Sequence, residues 1–76
     1  MPTAPDYLRA EINGYFGEGI DYAAPLAFLK ECGWSENAGT LAAPKRSITD
    51  KEWACCDFLI QEWDFAFTAA EITKPN

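Results

Sequence analysis

Three thiols, Cys32, Cys55 and Cys56, and twelve carboxylates are the side chains best suited to chemistry in this 76-residue chain, which contains no histidine. Without an imidazole, no nucleophile–base pair of the Cys–His or Ser–His type can be assembled. Three thiolates and a carboxylate could in principle ligate zinc, but Cys55 and Cys56 adjoin with no spacer, unlike a zinc knuckle. On a helix such neighbours diverge by about 100°. Cys56 is therefore expected to point to the core and Cys55 to its edge, both packing as small hydrophobes. Gly14-Tyr15-Phe16-Gly17-Glu18-Gly19 lacks the lysine and the strand-to-helix setting of a phosphate-binding loop. No motif pairs two carboxylates for acid–base work. The expectation is a protein that is not an enzyme and that uses no cofactor and no metal.

The carboxylates carry a different pattern. Asp50, Asp57, Asp64 and Glu71 recur every seven residues, and neither Lys nor Arg interrupts the chain between Lys51 and Lys74. On one helix they would form an acidic ridge, with successive groups about 10.5 Å apart along the axis. Such a ridge could lie in a basic groove as a phosphate strand does, through long-range, salt-sensitive attraction. The same ridge could equally be a solvated helix face. A second row, Phe58, Phe65 and Ile72, also steps by seven and would form an apolar stripe. A surface helix ordinarily needs one apolar stripe. This one must be covered by the N-terminal helices, by a second copy of the chain or by a partner.

Both rows depend on the element that carries them. Thr49-Asp50-Lys51-Glu52 matches a capping box, and Ile48 with Trp53 matches the accompanying hydrophobic staple. From there Trp53, Cys56, Ile60, Trp63, Phe67 and Ala70 alternate in steps of three and four, the expected core face of one helix running towards Ile72. Phe65-Ala66-Phe67-Thr68 could instead form a short strand. Upstream, a first helix starts near Asp6 and buries Leu8, Ile12, Tyr15 and Phe16. A second starts after Asp21, with Pro25 in its first turn and Gly33 as a left-handed stop. Residues 34–47 read as a connection anchored by Trp34. Valine is absent and alanine abundant, which favours helix.

These features predict a single compact domain over residues 1–76, all-α, with three helices and a long C-terminal one. The alternative is α+β, with a short strand after Trp63. The apolar fraction of 49% and aromatic fraction of 14% suit a folded chain. A net charge of −6 argues against direct nucleic-acid or anionic-membrane binding and permits a basic protein partner. Met1-Pro2-Thr3-Ala4-Pro5 holds neither a basic nor an apolar run, so a cytosolic protein with reduced thiols is expected.

In size, acidity and lack of catalytic side chains, the chain resembles small phage-encoded anti-CRISPR and DNA-mimic inhibitors. The resemblance spans the chain at the level of composition and brings no diagnostic motif. It implies stoichiometric inhibition, by occupying the nucleic-acid groove of a CRISPR effector or nuclease subunit. Asp50, Asp57, Asp64 and Glu71 would be the contacts proposed on that reading. The competing expectation is a structural or adaptor protein acting through an apolar, homodimeric interface built on Phe58, Phe65 and Ile72.

Overall fold

The capping box at Thr49 forms in full: the Thr49 side chain accepts from the Glu52 amide, and Glu52 reaches back to the Thr49 amide. It starts a helix over Asp50–Trp63, the last of three among the described residues. The computed structural model describes residues 4–19 and 21–68. In chain order the elements are α1 (Asp6–Phe16), α2 (Ala23–Glu31), β1 (Ser35–Asn37), β2 (Thr40–Ala42), α3 (Asp50–Trp63) and β3 (Ala66–Thr68). The strands form one sheet in the order β1-β2-β3.

The architecture is therefore α+β, and the all-α expectation is overturned. Its alternative, a strand soon after Trp63, is what the chain adopts. The long helix does not continue to Ile72, because Asp64 takes the left-handed conformation (φ 58°, ψ 28°). Asp is among the few non-glycine residues that tolerate it. The amides of Asp64 and Phe65 both turn back to the Leu59 carbonyl, closing the helix end. Phe65 onwards then extends, and β3 pairs parallel to β2 with Leu41 opposite Phe67. Two parallel strands need a crossover, and α3 supplies it.

The segment read as a connection also holds structure. Ser35–Asn37 and Thr40–Ala42 pair antiparallel across Ala38-Gly39, whose φ angles are both positive, 53° and 84°. That is the backbone of a tight hairpin turn whose twist matches the strands. Glu36 Oε2 accepts from the Gly39 amide at 2.8 Å and fixes the turn. Only three residues per strand contribute, too few for alternation of apolar and polar residues to show.

The helix starts differ slightly from expectation. Pro5, not Asp6, occupies the cap position of α1, and Tyr22 that of α2, although Asp21 still accepts from the Ala23 amide at 2.9 Å. Gly33 takes φ 97° as expected, and the Trp34 amide returns to the Leu29 carbonyl.

One apolar cluster joins the elements: Leu8 and Ile12 from α1, Leu29 from α2, Trp34, Leu41 and Ala43 around the hairpin, and Ala54, Cys55, Cys56, Phe58 and Leu59 from α3. Both α1 and α2 pack on α3. This explains its two apolar rows: Ala54 and Phe58 are fully buried, whereas Trp53, Ile60 and Trp63 are only partly so. The expected core face is thus the less buried one. Cys55 is as deeply buried as Cys56.

Candidate aromatic cleft and its surroundings

Ending α3 at Trp63 turns the next side chains back towards the start of α2. The Tyr22 ring meets Trp63 edge-on, with centroids 5.6 Å apart, and Phe65 at 6.2 Å. Tyr22 remains 45% exposed, so the trio forms a surface platform rather than core. Beside it opens a cleft of about 250 Å³ lined by Arg9, Asn13, Gly19, Phe58, Glu62 and Trp63.

Three polar side chains of the cleft have defined partners or none among the described residues. Arg9 Nη2, the only cation among the described residues of the lining, pairs with Asp6 Oδ1 at 2.7 Å, one helical turn away. Glu62 Oε1 accepts from the Ala4 amide at 3.1 Å and ties the chain start to α3. No hydrogen bond among the described residues engages Glu62 Oε2. Trp63 Nε1 is buried and finds no acceptor among the described residues. An unsatisfied buried donor costs about 1–3 kcal/mol. Such groups are uncommon in native structures.

A second cluster is fully satisfied. Glu52 is 2% exposed, although the sequence suggests a surface charge. Its Oε2 accepts from Trp34 Nε1 at 2.9 Å and Arg46 Nη2 at 2.7 Å. Its Oε1 accepts from the Thr49 amide at 3.0 Å, the Thr49 hydroxyl at 2.9 Å and Arg46 Nη1 at 3.1 Å. Arg46 also donates to the Cys32 carbonyl at the end of α2. The Arg46 guanidinium overcomes the effect of burial and, with Thr49 and Trp34, holds the Glu52 carboxyl down to about 2. A carboxylate so thoroughly hydrogen-bonded has no lone pair left for chemistry. It locks α2, the hairpin and α3 together.

Lys51 forms a third, smaller cluster. Its Nζ lies over the rings of Phe28 at 4.4 Å and of Tyr15 and Phe16 at 5.2 Å, so one ammonium pins the ends of α1 and α2 to the start of α3. The box is filled from within. A third aromatic group, Trp34, Trp53 and Phe67, packs β3 onto the start of α3, with centroids 5.7–6.1 Å apart.

The residues singled out by sequence separate. Asp50 and Asp57 are exposed on α3, and Asp64 is its exposed left-handed cap. Glu71 lies outside the described residues. Phe58 is buried and lines the cleft, Phe65 leans on Tyr22 at its edge, and Ile72 lies outside the described residues. Arg9, Asn13, Tyr22, Glu62 and Trp63 were not recognised as site residues. Tyr22 and Trp63 stand 41 positions apart in sequence, so no periodicity links them. Among the described residues no group of three or more Cys, Asp or Glu side chains is arranged to hold a metal ion. No helix among them is long and apolar enough to cross a membrane.

The family whose model matches this chain is described as Phage Pam3 gp59 related protein, and the match spans residues 1–74. No curated protein and no solved structure matches the chain. With nearly the full length aligned to that one description, the chain belongs to the phage Pam3 gp59-related protein family.

Proposed function

We propose that this phage protein is a small non-catalytic adaptor that binds another polypeptide through the aromatic cleft at the C-terminal end of α3. The observation that carries the reading is the platform of Tyr22, Trp63 and Phe65 beside a cleft containing Arg9 and a Glu62 carboxylate oxygen that no described residue engages. Trp, Tyr and Arg are the residues that dominate binding energy in protein interfaces, where they fill or flank pockets near the centre. The Glu52 and Lys51 clusters, by contrast, are satisfied within the fold. A second copy of the chain would bring another −6 of charge to a face rimmed by carboxylates, so a heterologous partner fits better than a homodimer.

A second reading keeps the acidic edge of α3 as the contact surface of an inhibitor that docks on a basic, nucleic-acid-handling protein of CRISPR-effector type. Asp50 and Asp57 are both exposed along that edge, which favours it. Photo-crosslinking separates the two. A benzophenone side chain is introduced at position 22, at position 57, or at position 7 as an exposed control, and the protein is expressed during infection of the host. The adaptor reading predicts a discrete crosslinked product from position 22 alone. A product from position 57 alone favours the acidic edge, and a product only between copies of the chain favours the homodimer.

A further inference from the structure

Building on the adaptor reading, we propose that the cleft receives a single cationic side chain, an arginine, from the partner polypeptide. Size argues first: about 250 Å³ lies below the roughly 300–1,000 Å³ typical of small-molecule sites and suits one long side chain. The lining argues next. Phe58 and Trp63 offer ring surface, and Tyr22 packs on Trp63 at the edge. Aromatic faces attract a guanidinium through the ring quadrupole and by stacking. Glu62 adds a carboxylate whose Oε2 is engaged by no described residue, while its Oε1 holds the Ala4 amide and so fixes the group in place.

Charge completes the match. Arg9 is paired with Asp6 at 2.7 Å, and the neighbouring positions in sequence, Glu18 beside Gly19, Asp21 beside Tyr22 and Asp64 beside Trp63, are exposed acids. The whole chain carries −6. A planar guanidinium fits this combination better than an ammonium, because it can stack on a ring while donating to a carboxylate in its own plane. The arginine therefore acts as the anchor of the contact, with Tyr22 and Phe65 covering its stem.

The test uses the intact, isotopically labelled protein and three blocked tripeptides: glycine-arginine-glycine, its citrulline counterpart and its lysine counterpart. The Trp63 indole N–H resonance is the reporter. The arginine peptide is expected to shift it in a saturable way, the lysine peptide more weakly, and the citrulline peptide not at all. Glu62→Gln keeps an oxygen for the Ala4 amide, so the fold is retained, and it is expected to weaken the arginine peptide roughly tenfold or more. Equal shifts from citrulline and arginine, undiminished binding to Glu62→Gln, or no shift from any peptide would each overturn the arginine assignment. Crosslinking from position 22 bears on the adaptor reading separately, and a product there alongside a silent peptide titration would leave that reading standing while removing this one.

Discussion

Trp34 donates its indole N–H to Glu52 Oε2 at 2.9 Å across eighteen positions of sequence, in a contact that is buried on both sides. This bond joins a residue just past the second helix to the glutamate of the third helix's capping box. A local device, the capping box, thereby becomes a tertiary one. Arg46 completes it by pairing with the same carboxylate and with the Cys32 carbonyl.

The Glu52 cluster therefore sets a large share of the stability. A 76-residue chain at ordinary values has roughly 4–11 kcal/mol in total. Glu52→Gln removes the charge matched to Arg46 and leaves donors facing an amide, and is expected to cost about 2–3 kcal/mol. Urea denaturation of the two proteins reads the difference directly. A change below about half a kcal/mol would show the network to be dispensable.

The same residue predicts the acid limb of stability. Glu52 titrates at about 2 when folded, against an ordinary value of 4.5. Its depressed value means the unfolded chain binds a proton more readily, so the contribution is complete above about pH 4.5 and is lost as pH falls towards 2. Melting temperature should drop through that window in the native protein. In Glu52→Gln the part of the drop due to this group should be missing.

Asp64 marks where α3 stops, and its substitution tests the cost of that left-handed turn. Asp64→Gly keeps the left-handed cap and is expected to be neutral or mildly stabilising. Asp64→Val forces a branched side chain to φ 58° and should cost about 1–2 kcal/mol. Circular dichroism distinguishes a helix that still stops from one that runs on: no gain of helicity is expected in either variant.

Much of this fold was legible in the residues, and the unread part has a common cause. The capping box, the Gly33 stop and the burial of Trp34 are local or strongly apolar signals, and each appears where the sequence indicates. The seven-residue row of acids misled, because the spacing that keeps Asp64 on the ridge is also compatible with Asp64 ending the helix. Three-residue strands leave too little pattern to read, and their pairing is set by contacts distant in sequence. The cleft was hidden for the same reason: Arg9, Tyr22 and Trp63 come from three parts of the chain. Of the apolar row, Phe58 lines the cleft and Phe65 packs on Tyr22 of the platform, so the two do not form a continuous stripe.

The thiols should behave as packing groups. Burial pushes the Cys55 thiol up to about 12, and burial followed by the Glu52 charge also raises Cys32. Native protein treated with a thiol reagent near neutral pH is expected to label slowly at half-buried Cys32 and to spare Cys55 and Cys56 until unfolded. Rapid native labelling of Cys55 would mean that α3 packs less tightly than described.

Lys51 offers a separable test of how the helices are clasped. Lys51→Met keeps most of the stem and removes the charge over Tyr15, Phe16 and Phe28, and is expected to cost about 0.5–2 kcal/mol. The loss should appear as faster amide exchange at the C-terminal end of α1, where Tyr15 and Phe16 form the last turn.

The central claim, that the platform at the end of α3 is where a partner binds, is tested most directly by comparing two tyrosines. Tyr22 packs on Trp63 and Phe65, whereas Tyr7 stands 73% exposed on α1. Once the crosslinked partner is purified, its affinity is measured for Tyr22→Ala and Tyr7→Ala by calorimetry. The account predicts a loss of about 2 kcal/mol, roughly thirtyfold, for Tyr22→Ala and little change for Tyr7→Ala. Unchanged affinity in Tyr22→Ala, with the fold intact, would contradict it.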